Sequence, residues 1–400
     1  MGSVDVSILA GGAEELMRNS PKILFLVTED WYFWSHRLPI ARAARAQGFE
    51  VIIATSVKDH GELIEKEGFK LIPIRLKRSS KSPLAEIVSI IELIRIYKRE
   101  RPQIVHHVAM KPVLYGSIAA GLTGIPSVVN ALAGMGYIFT SRHLLAQFLK
   151  PFIKLAFSHL LGKKNTLTIV QNTDDFNLMQ DLVNDKSIVL IKGSGVDTNL
   201  FKPSSGKETI PIILMASRML WDKGVGEFVE AAGMLRRGGT NARFVIVGEI
   251  DRDNPSAVPA AKLKDWQDSK IIEYWGYRND MADVFRQTHI VCLPSYREGL
   301  PKVLLEAAAC GLAIVTTDTP GCREIVRDNI NGLLVPVRDS GALAQALKCL
   351  IDNPELRKQI GAAGRKIVED EFSLEKVVGE TFLLYKRLLS ANKSMGQVQV

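Results

Sequence analysis

Two glutamates, Glu298 and Glu306, lie eight positions apart on either side of a loop-to-helix junction in the segment Ser295–Gly311. Gly299 and Pro301 mark a loop entering a helix, since proline is tolerated at the first helical position, and Leu304, Leu305 and the alanines favour helix up to Gly311. The unpaired amides of that first turn, with the helix dipole, favour a phosphate in front of them. Glu298 in the loop and Glu306 in the second turn each offer oxygens to hydroxyls flanking such a phosphate. A ligand with phosphate between two polyols, as in a sugar nucleotide, fits all three groups. The plainer alternative is two solvated glutamates at a helix start.

Two cations extend this chemistry. Arg218 and Lys223, five positions apart, follow an apolar strand-like run and precede a helix. That places them at the carboxyl end of a sheet, where α/β proteins bind ligands. Breaking a sugar–phosphate bond builds negative charge on the leaving oxygens, and preorganised Arg, Lys and helix amides stabilise it as it develops. With such charges no aspartate-rich metal loop is needed; two surface cations beside a turn are the alternative. An aromatic run, Thr28–Pro39, follows the first strand and reads as a ligand-side loop. Trp31 and His36 there either face a ligand or, with Trp34, pack against a neighbouring loop. The strand Ile104–His107 ends in His106 and His107, which alternation sends to opposite faces, so at most one faces a cleft. His107 is the one favoured, with Lys111 close behind it. Gly134 and Gly136, in Asn130–Tyr137, permit close backbone approach to a ligand.

The elements that position these residues alternate. Ile23–Val27, Val51–Ala54, Leu71–Ile74 and Ile104–His107 read as short buried strands, and Pro39–Gln47, Gly61–Glu67 and Pro83–Glu100 as helices between them. A second cycle has strands Ile210–Ala216, Phe244–Val247, Ile271–Tyr274, Ile290–Leu293 and Ala313–Thr316, with helix Val225–Arg236. Short apolar strands separated by helices indicate parallel sheets covered on both faces, hence an α/β fold. Residues 1–21 read as a loose lead, 22–195 as a first Rossmann-like domain, 206–372 as a second, and 373–392 as a final helix. Turn residues gather in Lys192–Gly206 between the two cycles, which suits a hinge there.

Composition narrows the classes. Four hundred residues with 46% hydrophobic content support two full cores. The net charge of +8 suggests an acidic partner, whether nucleic acid, anionic lipid or a phosphorylated substrate. The basic residues are scattered without a zinc finger, helix-turn-helix or RNA-binding signature, which argues against nucleic acid. Cys292, Cys310, Cys322 and Cys349 lack paired C-x-x-C spacing, so neither a metal site nor a disulfide framework is indicated. No apolar run of about 18 residues and no signal peptide is evident, so a cytoplasmic location is expected.

The ordered series Tyr274–Met281, Ala282–Phe285, Val291–Ser295, Pro320–Val326 and Asn331–Val335, around the Glu298/Glu306 pair, resembles the carboxyl-terminal domain of the retaining glycosyltransferases of family 4. The resemblance implies the GT-B type: two Rossmann-like domains facing across a cleft, with the final helix crossing back to the first. It implies that Glu298 contacts hydroxyls of the transferred sugar, that Glu306 contacts the ribose, and that Arg218 and Lys223 neutralise the leaving nucleoside diphosphate without a metal. Gly299, Leu300, Pro301, Tyr277, Arg278 and Met281 would then belong to the donor site. His107 would stand near the reacting sugar, and Trp31, His36, Lys111, Gly134 and Gly136 on the acceptor or cleft side. The aromatic first loop, where many relatives carry a glycine pair, resembles a subset building polyprenyl-linked or surface polysaccharides. A nucleotide-sugar donor, with a UDP-sugar favoured, and a lipid-linked or glycan acceptor follow from this.

The segment Ser141–Lys164 combines an apolar stripe with Arg142, Lys150, Lys154, Lys163 and Lys164, and Arg75, Lys77, Arg78 and Lys81 form a basic loop in the same domain. Both suit an anionic membrane surface and a peripheral position on its cytoplasmic face, unless the stripe simply docks on the sheet. Alternatives to the lipid-linked acceptor are a soluble transferase acting on a small sugar phosphate, a nucleotide-sugar 2-epimerase and a non-catalytic sugar-nucleotide sensor. The intact Arg218, Lys223 and Glu298 argue against the sensor.

Overall fold

The computed structural model describes residues 20–77, 82–132, 155–183, 185–204, 210–251 and 254–396. Gly134, Gly136, Arg78, Lys81, nearly all of the 1–21 lead and the Ser141–Lys154 part of the amphipathic segment lie outside them. Internal contacts divide the chain into two compact units. The first holds the described residues up to Val170, Phe176–Ile191 and the chain from Val378; the second holds Gln171–Asp175 and Lys192–Val377.

The first unit is built on strands β1 (Lys22–Glu29), β2 (Glu50–Ser56), β3 (Lys70–Pro73), β4 (Ile104–Val108), β5 (Ser127–Leu132), β6 (Thr166–Val170) and β7 (Ile188–Leu190). They form one seven-stranded sheet in the order β3-β2-β1-β4-β5-β6-β7, every pair parallel. Strands β4, β5 and β6 are buried along their whole length, as expected of a parallel sheet with helices on both faces. Its helices include α1 (Asp30–His36), α2 (Leu38–Ala46), α3 (Gly61–Lys66), α4 (Pro83–Glu100), α5 (Met110–Thr123), a helical stretch over 155–161, and α6 (Thr173–Gln180), whose first three residues belong to the second unit.

The expected loop over Thr28–Pro39 is different in the structure. β1 continues to Glu29 and α1 begins at once, so Trp31 and His36 lie on a short helix. The cause is Asp30, whose fully buried carboxylate accepts from the backbone N–H of Trp31 (2.8 Å), Lys58 (2.7 Å) and His60 (2.8 Å), tying the helix start to the chain after β2.

In the second unit, β8 (Ile212–Ala216), β9 (Arg243–Val247), β10 (Glu273–Tyr274), β11 (Ile290–Leu293), β12 (Ala313–Thr317) and β13 (Leu333–Val335) form a parallel sheet in the order β10-β9-β8-β11-β12-β13. The expected strand Ile271–Tyr274 shrinks to two edge residues, and Ile210–Ala216 starts only at Ile212, past Pro211, which has no N–H to give a ladder. Around the sheet lie α7 (Val225–Arg237), α8 (Ala260–Asp268), α9 (Met281–Gln287), α10 (Lys302–Ala309), α11 (Pro320–Ile325), α12 (Ser340–Asp352) and α13 (Pro354–Glu371). The side chains of Asp339 and Asn353 cap α12 and α13 by accepting from Ala342 and Leu356 N–H. The last helix, α14 (Leu374–Gly396), starts in the second unit and continues as part of the first. Three cysteines are buried, and Cys349 on α12 is exposed.

Candidate active site

Both sheets reverse their strand order where a first strand meets its later neighbour: β1 beside β4, and β8 beside β11. Such switch points leave a crevice beyond the carboxyl ends of the strands, the usual ligand position in α/β sheets. Trp31 and His36 follow β1, Lys111 follows β4, Arg218 and Lys223 follow β8, and Glu298 follows β11.

In the second unit, β8 leads through Ser217 and Arg218 into a single helical turn, Trp221–Lys223, closed by Gly224. Gly224 has φ +78°, and a Cβ there would fall 2.1 Å from the Pro294 carbonyl oxygen, so only glycine lets this turn lie against the end of β11. Lys223 is thereby brought to the loop after β11. Its Nζ donates to Glu298 Oε1 at 2.6 Å, and Ser295 Oγ donates to the same oxygen at 2.7 Å. Lys223 and Glu298 keep only 20% and 11% of their side-chain surface exposed, enough desolvation to strengthen the pair and for a ligand to reach it from one side. Tyr296 ties the loop to the same turn, its N–H donating to Asp222 O (2.9 Å) and its hydroxyl to Glu227 (2.6 Å). Arg338 stacks over its ring at 4.5 Å.

Arg218 pairs with Asp251 at 2.7 Å and is one third exposed. Glu306 lies in the second turn of α10 and is buried, with Lys302 at 3.3 Å. Burial pushes its carboxyl above the usual range, opposed by the nearby Lys302 charge. Gly299, Leu300 and Pro301 form the entry to α10, with Pro301 at its N-cap. The start of α11 packs closely on this entry: a Cβ on Gly321 would lie 2.3 Å from Gly299 O. Beyond β10, Tyr277 is largely exposed, Arg278 makes a two-armed pair with Asp280, and Met281 packs on the core.

In the first unit the histidines fall on opposite faces of β4, as alternation requires, but both faces are covered. His107 is fully buried, its Nδ1 bonded to Asn130 Oδ1 (2.8 Å) and its Nε2 to the Tyr97 hydroxyl (2.9 Å). A Cβ on Gly116 would lie 2.5 Å from His107 Nε2, so the ring is lodged under α5. The expectation of a cleft-facing His107 is thus corrected: with both nitrogens engaged it organises the core, and burial pushes it down to about 4. His106 is buried as well, stacked on Phe25 and bonded through Nδ1 to the Tyr385 hydroxyl of α14 at 2.6 Å. Lys111 is also engaged within its unit, donating to Glu86 (2.7 Å) and Lys77 O (3.0 Å). Trp31 is half-buried, its Nε1 donating to Glu29 at 3.2 Å, and His36 stacks on Tyr32 with ring centroids 4.2 Å apart. Ala109, between β4 and α5, holds φ +76° and ψ 166° without being glycine.

Ser295, Asn172 and Asp175 did not stand out from the sequence. Asn172 donates to Gly299 O at 2.8 Å, and Asp175 faces Arg297 at 3.8 Å. The available signal was the polar run Gln171–Asp175 directly after an apolar strand, the same strand-end position as Arg218 and Glu298.

Comparison with known proteins agrees with this geometry. A family profile described as Glycosyl transferase 4-like matches residues 22–171, and one described as Glycosyl transferases group 1 matches residues 197–367. The chain is 28% identical, over 92% of its length and 99% of the relative's, to N,N'-diacetylbacillosaminyl-diphospho-undecaprenol alpha-1,3-N-acetylgalactosaminyltransferase of Campylobacter jejuni. It is 26% identical, over 76% of its length and 80% of the relative's, to UDP-Gal:alpha-D-GlcNAc-diphosphoundecaprenol alpha-1,3-galactosyltransferase of Escherichia coli. A glycosyltransferase crystal structure from Rickettsia africae superposes with a TM-score of 0.76 at 21% identity, covering 93% of this chain and 99% of that one. Two parallel α/β units, matched by glycosyltransferase profiles and relatives along nearly the whole length, make this chain a member of the family 4 glycosyltransferases of GT-B fold.

Proposed function

We propose that the protein is a retaining transferase that moves a hexosyl or N-acetylhexosaminyl group from a UDP-sugar to a polyprenyl-diphosphate-linked sugar during polysaccharide synthesis. The observation that carries the reading is the Lys223–Glu298–Ser295 cluster at the second unit's switch point. Arg218 and Lys223 hold the diphosphate, Glu306 the ribose and Glu298 the hydroxyls of the transferred sugar. Lys223 is poised for this, because its partner is itself a sugar-binding carboxylate: an arriving diphosphate takes the ammonium while Glu298 turns to hydroxyls. As the sugar–phosphate bond breaks, charge gathers on the leaving oxygens beside the two cations. The leaving phosphate accepts the proton of the acceptor hydroxyl, which attacks from the same face. The two relatives act on undecaprenyl-diphosphate-linked sugars and make alpha-1,3 linkages, which supports both the lipid-linked acceptor and retention.

A lipid-linked acceptor places the enzyme at the cytoplasmic face of a membrane. No helix among the described residues is long and apolar enough to cross one. α4 instead exposes Leu84, Ile87, Val88 and Ile91 at helical spacing, followed on the same side by Arg95 and Arg99. Between α4 and the edge strand β3 lies a groove of about 430 Å³ lined by Ile72, Pro73, Val88, Ile91 and Ile96 and rimmed by Arg75, Arg95 and Arg99 with one carboxylate, Glu92. An apolar row with a basic rim suits acyl chains below and anionic headgroups around.

The test is turnover with UDP-, GDP- and ADP-sugars and polyprenyl-diphosphate sugars, for the wild type and the variants Lys223→Ala and Glu298→Gln. We expect activity with UDP-sugars and a loss of at least about 100-fold in kcat/KM for each variant, the size seen when one preorganised transition-state donor is removed. Unchanged turnover in both variants would sink the assignment.

A further inference from the structure

We propose that Asn172 is a positioning residue of the donor site: by holding the Gly299 carbonyl it aims the Leu300 N–H at a phosphate oxygen of the sugar nucleotide. The proposal rests on the UDP-sugar reading above. Asn172 belongs to the five residues, Gln171–Asp175, that pack with the second unit, and it is completely buried. Its Nδ2 donates to Gly299 O (2.8 Å) and to Asp175 Oδ2 (3.0 Å), while its Oδ1 accepts from Asp175 N–H (2.7 Å). With an N–H donor on one side of the amide and two acceptors on the other, the side chain has a single satisfactory orientation. Asp175 is in turn 3% exposed and faces Arg297, so the clamp grips the Glu298 loop at two points.

The consequence follows from peptide geometry. The Gly299–Leu300 bond is trans, as are all the peptide bonds among the described residues, so the Gly299 C=O and Leu300 N–H belong to one rigid plane and point in opposite directions. Fixing the carbonyl toward buried Asn172 turns the N–H away from it. That N–H has no protein partner among the described residues, and Pro301 has none to offer, so Leu300 supplies the last free amide before α10. The packing of Gly321 against Gly299 O, where a Cβ would lie at 2.3 Å, leaves the plane little room to rotate. An unpaired and immobilised N–H on half-buried Leu300 at a helix entry, two residues after Glu298, suits an anionic oxygen.

The experiment compares UDP with uridine, which keeps the base and ribose but carries no phosphate, by titration and competition on the full chain. Asn172→Ala removes the clamp. Asn172→Asp keeps the shape and the acceptor for Asp175 N–H, and replaces the donor with a carboxylate oxygen facing Gly299 O and Asp175 Oδ2. Thr173→Ala, which alters a side chain bonded to Glu324, serves as neighbour control. Both Asn172 variants should weaken UDP about 10- to 100-fold, the range for a hydrogen bond to a charged group, with uridine affinity unchanged. Thr173→Ala should match the wild type. Undiminished UDP affinity in Asn172→Asp, or an equal loss of uridine, overturns the inference. A wild type that binds neither compound would instead overturn the UDP reading itself.

Discussion

At the scale of single residues, the site combines groups whose folded environment conflicts with their own stability. Glu306 is the clearest case. Burial lifts its carboxyl above its ordinary value of 4.5, so the folded chain keeps a proton there that the unfolded chain has already lost. Stability therefore falls as pH rises from the ordinary value through the raised one, and the full cost is present above it. Glu306→Gln keeps the volume and removes the charge. The variant should melt at the same temperature as the wild type near pH 4 and progressively higher toward pH 7, while UDP affinity drops at least about tenfold if Glu306 holds the ribose as proposed. Calorimetry across that range, with a binding titration at pH 7, checks both halves; a variant less stable than the wild type at pH 7 would refute it. The sequence exposed Glu298, Glu306, Arg218 and Lys223 because their spacing sits on a recognisable loop and helix. It did not reveal that His107 is enclosed, because alternation tells which face a strand residue takes and not whether that face is covered by Tyr97 and Gly116.

At the scale of elements, strand ends and helix starts do the positioning, and several residues there bear local strain. Ala109 is the notable one: φ +76° with ψ 166° is a region that glycine occupies freely and other residues do not. Its N–H donates to Ala131 O (3.0 Å) and its carbonyl accepts from Val113 (3.0 Å), and these bonds hold it there. Ala109→Gly should relieve the strain and stabilise the chain by about 1 kcal/mol, allowing for the extra backbone entropy of glycine. A raised melting temperature at unchanged activity bears this out; a lowered one means the strain is not real. The alternating strands and helices were legible from short apolar runs and turn residues. α1 was not, since seven residues rich in aromatics and polar groups carry no helical stripe and depend on the distant Lys58 and His60 amides bonded to Asp30. The short β10 was overread because Ile271 and Ile272 look like strand while only Glu273 and Tyr274 pair with β9.

At the scale of the whole molecule, the net charge of +8 and the apolar row on α4 bear on where the enzyme works. The full chain should cosediment with vesicles containing anionic lipid, and less with purely zwitterionic ones. A combined Ile87→Ser and Arg95→Glu change should weaken that binding at least about tenfold, since burying two aliphatic carbons or pairing one cation at such a surface each supplies roughly 1 kcal/mol or more. Equal sedimentation of variant and wild type would remove α4 from the membrane face. The four cysteines carry a separate consequence. Cys349 is open on α12, while Cys292, Cys310 and Cys322 are shielded, and burial holds the Cys322 thiol up at about 11, with the Glu298 charge adding to it. A mild thiol reagent thus has one fast target in the native protein and four in the unfolded one. The second thiol to react would be a stopwatch on local opening: if Cys322 is modified faster than the chain unfolds globally, the Glu298 loop breathes on its own, and a bound nucleotide should slow that clock.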